Sequence, residues 1–174
     1  TELPDLDALD VTNGGLRHGT RISVTYGDER LQLMSVHLKS GCFSNTVRGP
    51  DCARLLQQVP VLEDWIDRQA AGPDPFIVLG DFNRRLNDPG DAIWADLDDG
   101  QPTRADLTAV TEGMNVNCRD NRFPSFVDHI VFGTRSIGFV DRSSFQQVNF
   151  RRADRPRWDA ISDHCPLVVD LLAP

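Results

Sequence analysis

Phe76-Ile77-Val78-Leu79 is a continuous apolar run held between Pro75 and Gly80. It is too short for a buried helix and does not alternate, so it predicts a strand covered on both faces. Such a strand needs apolar cover on both faces, and the chain as a whole reads as mixed α/β. The residues after it are Gly80-Asp81-Phe82-Asn83, so polar side chains leave the core directly at its end.

The surrounding pattern supports a mixed fold with more strand than helix. Ile22, Val24 and Tyr26 alternate with polar residues, and Gly27-Asp28-Glu29 is a turn signal. A second strand from about Leu31 to Leu38 completes a hairpin. Asp51 caps a predicted helix running toward Ala71, with Cys52, Leu55, Leu56, Val59, Leu62, Trp65 and Ile66 at helical spacing. Pro60 should kink or split it, and Gly72-Pro73 should end it. A short helix is expected over Asp91–Leu97, and strands over Phe126–Phe132, Phe145–Phe150 and Pro166–Leu172. Residues 99–123 read as mostly irregular. Residues 1–15 read as a loop-like tail. The 174 residues fit one domain, and no run of eighteen apolar residues marks a transmembrane helix. The chain opens on Thr1 rather than Met, which reads as a processed or excerpted sequence.

The net charge of −8 argues against a protein that grips nucleic acid by counterion release over its whole surface. It also fits a site lined with carboxylates, although acidic surfaces are common. Among four cysteines, Cys42 and Cys52 would close a short loop, leaving Cys118 with Cys165; four reduced thiols are the alternative. If the disulfides form, the compartment is oxidising, either periplasmic or extracellular.

Reactive side chains concentrate in four segments at predicted strands: His37-Leu38-Lys39-Ser40, Gly80-Asp81-Phe82-Asn83, Asp128-His129 and Ser162-Asp163-His164. Singly, each has a structural explanation. Together they hold three of the four histidines. The chemistry that uses such a set is attack of water on a phosphate ester. A hard cation neutralises phosphate charge, and a carboxylate-oriented His takes the proton. A zinc-protease helix, a phosphate-binding Gly-Lys-Ser loop and a serine elbow are all lacking.

In this order the segments resemble the endonuclease/exonuclease/phosphatase (DNase I-like) superfamily. His37, Asp81, Asp128 and Asp163 follow one another at intervals of 44, 47 and 35 residues. The resemblance covers about residues 20–172 and implies a four-layer α/β/β/α sandwich. It implies that His164 is a general base oriented by Asp128, and that Asp163 binds Mg²⁺ (or Mn²⁺, or Ca²⁺). Asp81 and Asn83 would contact phosphate, water or metal, and His37 would bind phosphate or donate a proton. His129, the strand neighbour of Asp128, should face away and be structural. Family members also carry an earlier segment with an Asn and a metal-binding Glu. Nothing before residue 20 matches it, so the N-terminal part of the sandwich is expected outside this sequence, as a partner of this chain.

Arg84 and Arg85 follow Asn83, and Arg151, Arg152, Arg155 and Arg157 precede Asp163. They are candidate contacts for substrate phosphates; solvated loop charge balanced by Asp154 and Asp159 is the alternative. The expected activity is a nuclease or general phosphodiesterase. A lipid or inositol phosphate phosphatase, or a non-catalytic module with the same fold, is the alternative.

Overall fold

The computed structural model describes residues 1–103, 105–119 and 124–172. Its strands are β1 (Glu2–Leu6), β2 (Gly19–Tyr26), β3 (Glu29–His37), β4 (Phe76–Asp81), β5 (Leu107–Ala109), β6 (Asp128–Gly133), β7 (Val140–Gln147) and β8 (Leu167–Leu171). The helices are α1 (Gly49–Ala71), α2 (Ala92–Leu97) and α3 (Trp158–Ile161). Six strands form a sheet in the order β1-β2-β3-β4-β6-β5, and β7 pairs with β8 in a second sheet. Within the large sheet only β3 and β4 run parallel, because α1 carries the chain back between them. No described helix is long and apolar enough to cross a membrane.

The register explains the buried run. Met34, Val78 and Val131 align across β3, β4 and β6 and face α1 and α2. There they join Leu55, Val59, Leu62, Ile66, Ile93 and Leu97 in one core. One residue along, Leu33, Ile77 and Phe132 align on the opposite face. That face packs on Val140, Phe145, Val169 and Leu171 of the second sheet. β4 is therefore covered on both sides, and each fully buried aliphatic side chain contributes about 1.5–3 kcal/mol of transfer free energy. The mixed α/β sandwich is the architecture the resemblance implied.

Three expectations are corrected. Residues 1–15 are not a loop-like tail: Glu2 and Leu3 pair with Ile22 and Arg21, making β1 the edge of the large sheet. Main-chain pairing forms it without an apolar stripe, which is why composition hid it. Pro60 does not split α1, which runs 23 residues. Pro60 and Leu56, whose carbonyl loses its partner to the ring, both lie on the exposed side, where water can satisfy that carbonyl. The strand expected over Phe145–Phe150 begins earlier, at Val140, and ends at Gln147. Residues 99–123 also contain β5, while 104 and 120–123 lie outside the described residues.

Both disulfides form, Cys42–Cys52 and Cys118–Cys165.

Candidate active site

His37 closes β3, Asp81 closes β4 and Asp128 opens β6. Register sets His37 beside Asp81 and Asp81 beside Asp128, so three strands deliver three polar side chains to one edge of one face. The same face is apolar further along, at Leu33, Ile77 and Phe132. The site is thus the rim of the inter-sheet core.

Gly80 makes this approach possible. Its φ is +129°, and a Cβ there would stand 2.2 Å from the Val36 carbonyl oxygen of the adjacent strand. Only glycine allows β4 to lie so close to β3 at that point.

Asp81 and Asn83 meet by a tight turn rather than by strand alternation, since β4 ends at Asp81 and Asn83 is left-handed, φ 51°. The Asn83 backbone N–H donates to Asp81 Oδ1 at 2.8 Å, and Asn83 Nδ2 donates to Asp81 Oδ2 at 2.8 Å and to the Leu38 carbonyl at 2.9 Å. Both amide hydrogens of Asn83 are therefore committed to orienting Asp81 and the end of β3. Burial raises the Asp81 pKa above the ordinary carboxylate value, against the lowering effect of the Asn83 N–H.

His164 enters from the segment before β8. Its Nδ1 lies 2.7 Å from Asp128 Oδ2. Its Nε2 points inward, 3.9 Å from Asp81 Oδ2 and 3.8 Å from Asp163 Oδ1. The hydrogen bond to Asp128 pushes the His164 pKa up to about 9 despite partial burial. His37 is half-exposed, its Nε2 3.6 Å from Asp81 Oδ2. Asp163 stands at the rim with its side chain 77% exposed.

These groups line a cleft of about 520 Å³, whose walls include Ser40, Phe43, Arg85, Val116, Phe126 and the Cys118–Cys165 disulfide. Asp81, Asp128 and His164 place ligand atoms within 4.8 Å of one another. Two carboxylates and an imidazole, with Asp163 beside them, fit a divalent cation. Asp5, Asp7 and His18 also approach one another, but all three are exposed and none lines the cleft.

His129 faces the other way and is buried. Its Nε2 hydrogen-bonds the Arg84 carbonyl at 3.0 Å, and its Nδ1 lies 2.7 Å from Thr111 Oγ1. That pairing assigns the proton to Nε2 and makes Thr111 the donor to Nδ1. Burial drives the His129 pKa down to about 4.

The arginines divide. Arg84 is corrected as a phosphate contact: its side chain is 0% exposed. Its Nε donates to Asp91 Oδ2 at 2.7 Å, Nη1 donates to the Cys42 and Ser44 carbonyls, and Nη2 donates to Asn45 Oδ1 at 2.8 Å. Fully buried and absent from the cleft wall, it presents no donor to a ligand there. Sequence spacing gave no sign of this, although Asp91, which also accepts from Trp94 N to cap α2, is the partner a buried Arg requires. Arg85 does line the cleft. Arg151, Arg152 and Arg155 are not among its lining residues; Arg151 pairs with Asp154, and Arg155 lies over the Trp158 ring.

Residues 2–164 match the sequence profile of the Endonuclease/Exonuclease/phosphatase family. The chain belongs to that family. Nothing among curated proteins matches it. Among solved structures it is similar to an endonuclease/exonuclease/phosphatase family protein from Bacteroides thetaiotaomicron, at 16% identity and TM-score 0.51, over 90% of this chain and 56% of that one. It is similar to the 3′ phosphatase NExo from Neisseria bound to product DNA hairpin, at 13% identity and TM-score 0.57, over 98% of this chain and 71% of that one. It is also similar to an endonuclease/exonuclease/phosphatase from Beutenbergia cavernae, at 16% identity and TM-score 0.53, over 99% of this chain and 44% of that one. At such identities the likeness concerns the fold alone. The chain spans about half the length of the Bacteroides and Beutenbergia proteins.

Proposed function

We propose that this chain carries the reacting centre of a divalent-metal-dependent phosphodiesterase, most simply a nuclease. The observation that carries the reading is the convergence of His37, Asp81 and Asp128 in strand register, with His164 bonded to Asp128 and its Nε2 open to the cleft. Family membership makes a phosphoesterase the reaction class.

Asp128 accepts the Nδ1 hydrogen of His164 and leaves Nε2 as the nitrogen that takes a proton from water. Asn83 holds Asp81 with both oxygens fixed, and His37, half-exposed beside it, can donate to a phosphate oxygen or the leaving group. Asp81, Asp128 and Asp163 are the residues that would hold Mg²⁺ or Mn²⁺. Bound there, the cation would neutralise charge on a phosphate oxygen and, standing beside His164, favour the neutral imidazole. Two disulfides fit synthesis for an oxidising compartment.

The test is Mg²⁺- and Mn²⁺-dependent hydrolysis of a small phosphodiester and of plasmid DNA at fixed salt, using the full natural protein that contains this chain. The same protein carrying His164→Ala runs beside it. Metal-dependent turnover that disappears in the variant is expected. Folded, metal-loaded protein that hydrolyses neither substrate would overturn the reading.

A further inference from the structure

Phe43 is an apolar ring left 42% exposed on the cleft wall, yet the loop that carries it is held by several hydrogen bonds and a disulfide. The carbonyls of Cys42, Phe43 and Ser44 all accept hydrogen bonds in succession: the first and third from the Arg84 guanidinium, the second from the Arg85 N–H at 3.0 Å. Cys42 is also cross-linked to Cys52 of α1, and Asn45 receives Arg84 Nη2 and donates to the Gly90 carbonyl. Folding thus spends a buried cation and a disulfide on fixing a loop whose apolar side chain remains in water. An exposed aromatic held rigid is a preorganised contact surface, with the ordering cost met before any ligand arrives.

Arg85 stands beside it. Phe43 and Arg85 share a backbone hydrogen bond and line the same cleft as Asp81 and His164. Arg85 is the one Lys or Arg among the described lining residues, and its guanidinium has no ion-pair or hydrogen-bond partner among the described residues. Lys39, the nearest alternative in sequence, is committed to Asp51 and Ser40. A planar apolar platform next to an uncommitted planar cation, both within one cleft of a phosphate-directed site, matches a repeating ligand of base and phosphate. A base inside a duplex has its faces covered by its neighbours, so a platform of this kind selects an unstacked strand.

Resting on the phosphodiesterase reading, we infer that Phe43 and Arg85 form a substrate-selecting subsite for single-stranded nucleic acid, Phe43 stacking the base and Arg85 holding the phosphate of the nucleotide beside the scissile bond.

The test measures binding and hydrolysis separately. Binding of labelled, hydrolysis-resistant phosphorothioate hexathymidylate is measured in Mg²⁺ across a salt series. The full natural protein is compared with its Phe43→Ala, Phe43→Trp and Arg85→Ala variants. An abasic hexamer of the same backbone is the second probe. Phe43→Ala should weaken hexathymidylate binding roughly 5- to 150-fold, the range of one lost base–aromatic stack. Phe43→Trp should restore it, and the preference for hexathymidylate over the abasic hexamer should collapse in Phe43→Ala. Arg85→Ala should lower the slope of log affinity against log salt by about 0.7, one phosphate contact on a single strand. The inference is overturned if wild type does not prefer the base-bearing oligomer, if Phe43→Ala binds as wild type does, or if phospholipid vesicles are bound in its place. Hydrolysis of a small phosphodiester decides the underlying reading on its own. Turnover without a Phe43 effect removes the subsite and keeps the enzyme; Phe43-dependent binding without turnover does the reverse.

Discussion

Asp128 and His164 are 36 residues apart in sequence, yet Asp128 Oδ2 meets His164 Nδ1 at 2.7 Å, joining the large sheet to the segment that enters the second one. Asp128→Asn should keep the fold and lower kcat about 10²- to 10⁴-fold, because the imidazole loses both its tautomer and its countercharge. The same substitution should move the His164 titration of the metal-free protein from about 9 toward the ordinary histidine value of 6.5. Histidine-selective NMR reads this directly. Since the folded value lies above the unfolded one, the pair's stabilisation is fully present below pH 6.5 and fades as pH rises through about 9. An unchanged titration in Asp128→Asn would show that the hydrogen bond does not set it.

His129 predicts the opposite dependence. Its folded pKa is about 4 against 6.5 unfolded, so between those values the unfolded chain binds a proton that the folded chain refuses. Stability is fully present above pH 6.5 and declines as pH falls toward 4, by about 3 kcal/mol from this group alone. Urea denaturation of wild type and His129→Gln at pH 7 and pH 4.5 should show a smaller acid loss in the variant.

Arg84 and Asp91 form an ion pair with both side chains 0% exposed. Asp91→Ala should cost about 3–5 kcal/mol, since it strands a buried cation. Arg84→Met combined with Asp91→Leu should not recover that loss fully, because the Cys42 and Ser44 carbonyls would lose the same donor. Chemical denaturation of the three proteins measures it.

Gly80→Ala should destabilise by about 3 kcal/mol. The added methyl meets the Val36 carbonyl at 2.2 Å, and the backbone must leave φ +129° or separate β3 from β4. Because those strands end in His37 and Asp81, activity should fall further than stability predicts. A denaturation curve and a turnover assay on one preparation separate the two effects.

How much of this could be read from the sequence depended on where the physical signal lay. β4 was legible because burial on both faces writes an unbroken apolar run. His129 was legible as structural because strand alternation forces it away from Asp128. Segments bearing His37, Asp81, Asp128 and His164 stood out because polar residues at the ends of apolar strands are unusual, whereas their meeting depended on register, which no local pattern encodes. β1 was illegible because an edge strand held by main-chain bonds to β2 needs no apolar periodicity. Arg84 was misread beside Arg85 because two adjacent arginines look alike in a string, and only the fold gives one of them Asp91 and three loop acceptors.

Cys165 directly follows His164, and its bond to Cys118 ties that segment to a second stretch of chain that lines the same cleft. The redox history of a sample thereby becomes an experimental variable. Protein recovered from a reducing host, or stored with thiol reagents, would keep most of its sheet while losing the tether beside the His164 imidazole. Such material would look well folded by circular dichroism and still be a poor witness to what the molecule can do.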